Sequence, residues 1–335
     1  RYGEDLRVEV RSGGRRLEGW ARGPAADRLE DRLAGDRVEL RGVVEPIGSP
    51  DEWRLSRHLA GRIEVTTVRS WSPGAWPYRL ANRYRRLLST GAAGLDRDER
   101  SLLNGLVLGD DRGQSPALID AFRGSGLTHL LAVSGQNVAF VLLLLEPVVH
   151  RLPRSGRLVV VGLGLAGFGL VTRFEPSVLR AGAMAAVAVG STAVGRPAAG
   201  RRALGLAVTV LLLVDPLLVH AVGFRLSVAA SFGIVSWAAP LAGALPGPGW
   251  LARPVGVVLA AQLAVAPLLV ASFGPLPVAS LPANLAAGPA AGPAMVWGMT
   301  AGPVAGLLPP PVGDLLHGPS RLLLGWIELV ARVAS

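Results

Sequence analysis

The chain has 335 residues, half of them apolar, and only 17% are charged, against roughly 25% in soluble domains. The net charge is +10, every basic residue is arginine and there is no cysteine. Disulfides, iron–sulfur clusters and zinc–thiolate sites are therefore excluded. His58, His129, His150, His220 and His317 are scattered without H-x-H or H-E-x-x-H spacing, so no metal centre is expected and no cofactor is implied. Charge is unevenly placed. Residues 1–125 hold 22 arginines and 19 acids, whereas residues 126–335 hold 12 arginines and five acids. That asymmetry separates a water-facing part from a lipid-facing part. The chain begins at Arg1 rather than Met and carries no signal peptide, which reads as a fragment of a longer protein.

Residues 1–70 read as a β domain. Apolar and polar residues alternate in DLRVEV, RRLEGWAR, DRVELRGVVE and RIEVTTV, with Gly42 an expected bulge. Period-two alternation between Gly- and Pro-rich turns predicts a small antiparallel barrel or sandwich, for which an OB-like barrel fits the strand count. Residues 71–125 change character. Trp71, Trp76 and Tyr78 mix with Arg83, Arg85 and Arg86, the combination that anchors a helix in the headgroup layer. Two short helices are expected over 96–123, around the turn GDDRGQSP.

From 126 to 335 the apolar runs approach the roughly 20 residues that a spanning helix needs. Eight spans are expected, near 126–145, 156–172, 176–194, 203–219, 221–240, 255–273, 278–300 and 312–331. The fold class is thus mainly α: a polytopic transmembrane bundle with a small N-terminal β-barrel. The loop 146–157 carries Arg151, Arg154 and Arg157, and the loop 195–202 carries Arg196, Arg201 and Arg202. Positive short loops face the cytoplasm, which puts the β domain on the outer side of the membrane.

Polar groups at membrane depth cost about 2.5–3.5 kcal/mol each when charged, so they mark a path or a partner. Four clusters stand out. In GLTHLLAVSGQNVAF, His129, Ser134, Gln136 and Asn137 interrupt an apolar run, and Ser134-Gly135 predicts a helix break whose freed backbone needs partners. In RFEPSVLRAGAM, Arg173 lies at a span end and Arg180 about one turn inside. Asp215-Pro216 breaks the chain before Arg225, with an Asp215–Arg225 salt bridge the plainer reading. Gln262, Pro267 and Asn284, the last flanked by Pro282 and Pro289, predict kinked or re-entrant helices.

Together these segments resemble the ComEC family of bacterial competence proteins over about 100–290. His129-Leu130-Leu131-Ala132-Val133-Ser134-Gly135 matches that family's H-L-L-A-[IV]-S-G, and Pro176, Ser177, Arg180 and Ala181 match P-S-x-x-R-A. Asp215, Pro216, Gly223, Phe224, Leu226 and Ser227 match a D-P…G-F-x-L-S segment. Gln262, Leu263, Pro267, Phe273, Gly274, Asn284 and Leu285 match an A-Q-L…P-L…F-G…N-L segment. Gln136-Asn137 replaces the Leu-His of many relatives, so no ring proton carrier is carried over to that site. The clustered His/Asp motif of the metallo-β-lactamase-like domain that ends many relatives is absent from these 335 residues.

The resemblance implies an inner-membrane channel conducting single-stranded DNA into the cell, with an OB-like domain outside. Its implied partners are membrane lipid, a membrane DNA receptor and a cytoplasmic DNA translocase, and an oligomer is compatible with it. The path candidates are His129, Ser134, Gly135, Gln136, Asn137, Arg173, Arg180, Asp215, Arg225, Gln262 and Asn284. No enzyme is expected: there is no lysine for a phosphate-binding loop, and His129 and Ser134 would stand about 140° apart on a helix. A polytopic transporter of a small solute or lipid is the alternative.

Overall fold

A computed structural model describes residues 5–48, 51–193, 200–275 and 277–335. The chain is mostly helical with a small N-terminal mixed sheet, and divides into two compact units. The first comprises the residues up to Arg83 together with Asp215–Val222, and the second comprises Tyr84–Val214 and Gly223–Ser335.

The first unit is built on β1 (Leu6–Ser12), β2 (Arg15–Ala21), β3 (Arg37–Pro46) and β4 (Leu59–Ser72), in the order β1-β2-β4-β3. The alternation located all four strands. The expected antiparallel barrel differs in two respects: β2 and β4 pair in parallel, and the described strands form an open sheet. The parallel pairing needs a long crossover, which runs through α1 (Gly23–Glu30), β3 and α2 (Glu52–Ser56). Both helices are too short to show a helical period in the sequence. Ala25, Ala26 and Leu29 of α1 cover the sheet and close a core with Leu6, Leu17, Ile63, Val65 and Val68. The register of β3 against β4 shifts at Gly42, as expected, and there a Cβ would collide with the Glu64 carbonyl. Glu18 of β2 is buried between Arg7, at 2.8 Å, and Arg54, at 2.9 Å, and the Arg7 guanidinium lies 3.6 Å from the Trp53 ring centre. Burial works to raise the Glu18 pKa, but the Arg54 hydrogen bond and the charges of Arg7 and Arg54 outweigh it and hold the carboxyl below its usual value.

The helices of the second unit begin with α3 (Trp76–Gly91), which starts in the first unit, then α4 (Arg97–Leu108) and α5 (Pro116–Gly124). The series continues with α6 (Gly135–Val149), α7 (Arg154–Val171), α8 (Pro176–Ala193), α9 (Gly200–Val214), α10 (Val222–Ala244) and α11 (Gly249–Phe273). It ends with α12 (Ser280–Ala305), α13 (Pro310–Leu316) and α14 (Gly318–Ala334). Arg196 lies outside the described residues.

Among the described residues only α10 and α11 are long and apolar enough to cross a membrane, where eight spans were expected. Helix breaks account for much of the difference. The first apolar run is helical only from Gly135, α9 stops before Asp215-Pro216, and the last run is divided at His317. The middle of the bundle is α12, whose Ala287, Ala294 and Met295 are fully enclosed. Its glycines admit close neighbours: a Cβ at Gly298 would meet Leu103 at 2.5 Å, and one at Gly292 would meet Phe140 at 2.7 Å. Pro282 stands in the first turn of α12, where an amide has no intrahelical acceptor to lose.

Candidate functional site

The structure has the break at Ser134-Gly135, and two carbonyls before it are held by side chains from other segments. Thr128–Leu130 form one 3-10 turn, Ser134 is extended (φ −113°, ψ 168°), and α6 begins at Gly135. In the 131–134 segment, the Leu131 carbonyl accepts from Gln114 Nε2 at 3.1 Å and the Val133 carbonyl from Ser177 Oγ at 3.0 Å. Asn137 is buried and donates Nδ2 to the Leu106 carbonyl at 2.7 Å, while its Oδ1 accepts from Ser134 Oγ at 3.2 Å. Irregular backbone at membrane depth needs this kind of enclosure.

Arg180, on α8, is buried against this break. Its Nε donates to Ser227 Oγ at 2.6 Å and its Nη1 to Ser231 Oγ at 2.8 Å, both on α10 and one turn apart, with Met184 Sδ at 3.3 Å. Among the described residues no carboxylate pairs with it. Nη2 rests against the Cα of Gly135, where any Cβ would collide with it. Three segments distant in sequence therefore meet at one guanidinium: Gly135 on α6, Arg180 on α8 and Ser227 with Ser231 on α10.

A second polar group centres on buried Ser280. Gln262 Nε2 on α11 donates to Ser280 Oγ at 2.9 Å, Asn284 Nδ2 donates to the Ser280 carbonyl at 2.8 Å, and Gly126 (φ +72°) packs against the Ser280 side chain. Among the described residues, buried Gln262 Oε1 has no hydrogen-bond partner.

Other candidates are elsewhere. His129 and Gln136 are exposed. Arg173 is exposed and reaches Asp110 at 3.8 Å. Arg225 is half-buried in the first turn of α10. Asp215 belongs to the first unit, where Oδ2 meets His58 Nε2 at 2.9 Å and Oδ1 accepts the Leu217 amide at 3.1 Å. Of the expected interfacial anchors, Trp76, Tyr78, Arg83 and Arg86 are exposed on α3. Trp71 instead ends β4, with the Arg32 guanidinium 4.1 Å from its ring centre. Arg85 is buried and donates Nε to the Val171 carbonyl at 2.8 Å, capping the end of α7. Sequence reasoning missed Gln114 and Ser231. Ser231 is legible as i+4 from Ser227 on one helix face, whereas Gln114 lies in a turn with no periodic signal.

The Competence protein family model matches residues 106–335. The chain belongs to the competence protein family. The matched region contains Gly135, Arg180, Ser227, Ser231 and both polar groups, while the β domain precedes it. The chain is also similar to ComE operon protein 3 of Bacillus subtilis, with 27% identity over 85% of this chain and 37% of that protein. Competence protein ComA of Neisseria gonorrhoeae is 29% identical over 70% of this chain and 38% of its own length. This competence protein thus spans little more than a third of the length of those relatives. No solved structure matches it.

Proposed function

We propose that this chain is the membrane-embedded part of a DNA-uptake apparatus and conducts single-stranded DNA across the bacterial inner membrane. The observation that carries the reading is Arg180, a buried guanidinium whose hydrogen-bond partners among the described residues are two hydroxyls and a thioether, with no carboxylate. An uncompensated buried cation is costly, and a planar guanidinium on a fixed support is suited to a passing phosphate. The family match supports a role in competence. In this reading about eight segments cross the membrane, the β domain is an OB-like module on the outer side, and an oligomer is compatible. The chain itself is a passive conduit, working with a membrane DNA receptor and a cytoplasmic DNA translocase that supplies the driving force.

The test is internalisation of labelled DNA in a deletion strain complemented with the full-length gene, with membrane levels checked. Arg180→Ala is expected to reduce internalisation about 10- to 100-fold, the equivalent of one hydrogen bond to a charged group. Normal DNA entry with that variant sinks the phosphate-path reading and favours a carrier of a neutral solute or a lipid.

A further inference from the structure

The β1–β2 hairpin carries three arginines, Arg11, Arg15 and Arg16, close together at its tip. Arg11 and Arg16 are directly opposite each other across the strands, and Arg15 faces Ser12 beside them. Like charges placed opposite in an antiparallel pair destabilise it. Elsewhere in this unit Arg7, Arg22, Arg54, Arg57 and Arg69 each pair with a carboxylate. Among the described residues none does so for Arg11, Arg15 or Arg16. The three line a recess of about 430 Å³ with Gly14, His58 and Ala60. The turn Gly13-Gly14 is in the left-handed region (φ +55° and +79°) and crowds nothing, so the tip stays open.

His58 makes this recess more than a basic patch. It follows the C-cap of α2 with φ +55°, a place that usually takes glycine. Its backbone therefore does not account for the residue, whereas its ring does: Nε2 is held by Asp215 Oδ2 at 2.9 Å while the side chain lines the recess. Asp215 begins the segment Asp215–Val222, which joins α9 to α10 and packs with α2.

We propose that Arg11, Arg15, Arg16 and His58 form a phosphate cradle for the backbone of single-stranded DNA, and that its occupation draws His58 away from Asp215 and loosens the segment 215–222. The choice of DNA rests on the uptake reading above. The cradle gives that reading an outer capture point, and Asp215 gives it a signal into the chain leading to α10, which holds Ser227 and Ser231. Anionic lipid headgroups share the chemistry and are the competing occupant.

The test uses the full chain in phosphatidylcholine nanodiscs, with a fluorescent oligothymidylate and amide exchange read over 215–222. Wild type is expected to bind with a strong salt dependence and to exchange faster over 215–222 when DNA is bound. The triple variant Arg11→Gln, Arg15→Gln, Arg16→Gln is expected to bind at least about tenfold more weakly, with a salt slope shallower by about two. It should lose the DNA-dependent exchange, while β2 amides that exchange as in wild type show an intact fold. Asp215→Asn is expected to tighten binding by freeing His58, and Arg41→Gln on the distant edge strand β3 to change nothing. Equal binding by wild type and the triple variant overturns the cradle. Undiminished binding with no change over 215–222 overturns the coupling. Phosphatidylglycerol discs that by themselves raise exchange over 215–222, with DNA adding nothing, overturn DNA as the occupant. None of these failures touches the uptake reading, which stands or falls on internalisation by the Arg180 variant.

Discussion

Two buried charges in this chain have opposite surroundings. Arg180 meets neutral hydroxyls, whereas Glu18 meets two guanidinium groups at 2.8 and 2.9 Å. The Glu18 pair is a stability device and its pH dependence has a definite sign. The folded carboxyl titrates below its ordinary value of about 4.5. Its contribution is therefore fully present above the unfolded pKa and is lost as the pH falls through the folded one. The sheet should weaken progressively below about pH 4.5. Glu18→Gln should remove that part of the acid sensitivity. It should also destabilise the unit by about 2 kcal/mol at neutral pH, because Arg7 and Arg54 then lose their shared carboxylate. Denaturant-dependent amide exchange of β2, followed across this pH range, checks both. An acid profile unchanged by the substitution would remove Glu18 from the account.

At the scale of elements, the decisive feature is the non-helical segment 131–134 followed by α6. A continuous helix would have closed its own backbone. Here Gln114 and Ser177 hold two of its carbonyls from α5's leading turn and from α8, and the interruption lets Arg180 lie on the Cα of Gly135. Gly135→Ala should drive the guanidinium off that site. Overpacking of this kind costs about 1–3 kcal/mol, and the variant should reproduce the uptake defect of Arg180→Ala. Gly162→Ala in α7, where a Cβ meets nothing within 4 Å, is the matched control. A fully active Gly135→Ala protein would show that the close approach is not needed. The sequence displayed the break, since Ser-Gly inside an apolar run has few other meanings, and it displayed the four β-strands through their alternation. It concealed which distant groups satisfy the break. A carbonyl's partner is set by tertiary packing, and a glutamine in a polar turn looks the same whether it caps a buried segment or faces water. The exposed anchor expected at Arg85 failed for the same reason: α3 looks amphipathic by composition, but its packing turns Arg85 inward onto the Val171 carbonyl.

For the whole molecule the question is what covers the apolar surface. Leu213, Val214, Trp250 and Phe273 are each at least 70% exposed, and the apolar windows of α10 and α11 are only 6% and 11% buried. Exposed apolar side chains of this size call for a cover. Lipid is the covering the proposed function requires. Helix length looks like an objection: α6 and α9 have 15 residues each, which is about 22 Å against a hydrocarbon thickness of about 30 Å. For α6 the break answers it. The apolar run that contains α6 begins near residue 126, and its first residues form a 3-10 turn and bends instead of helix, so the run is longer than its helix. The proposed arrangement makes a prediction that the absence of cysteine renders easy to read, because every label reports one introduced site. Arg157 and Arg202 are exposed on either side of the pair α7 and α8. If that pair crosses the membrane and returns, Arg157→Cys and Arg202→Cys must share a compartment, and the arginine bias makes it the cytoplasm. An impermeant maleimide applied to intact spheroplasts should then label Arg41→Cys in the β domain and neither of the other two, which should react only after permeabilisation. Labelling of Arg202→Cys but not Arg157→Cys from outside would mean that only one of the two helices crosses, and would leave Arg180 on α8 without a transmembrane path to line.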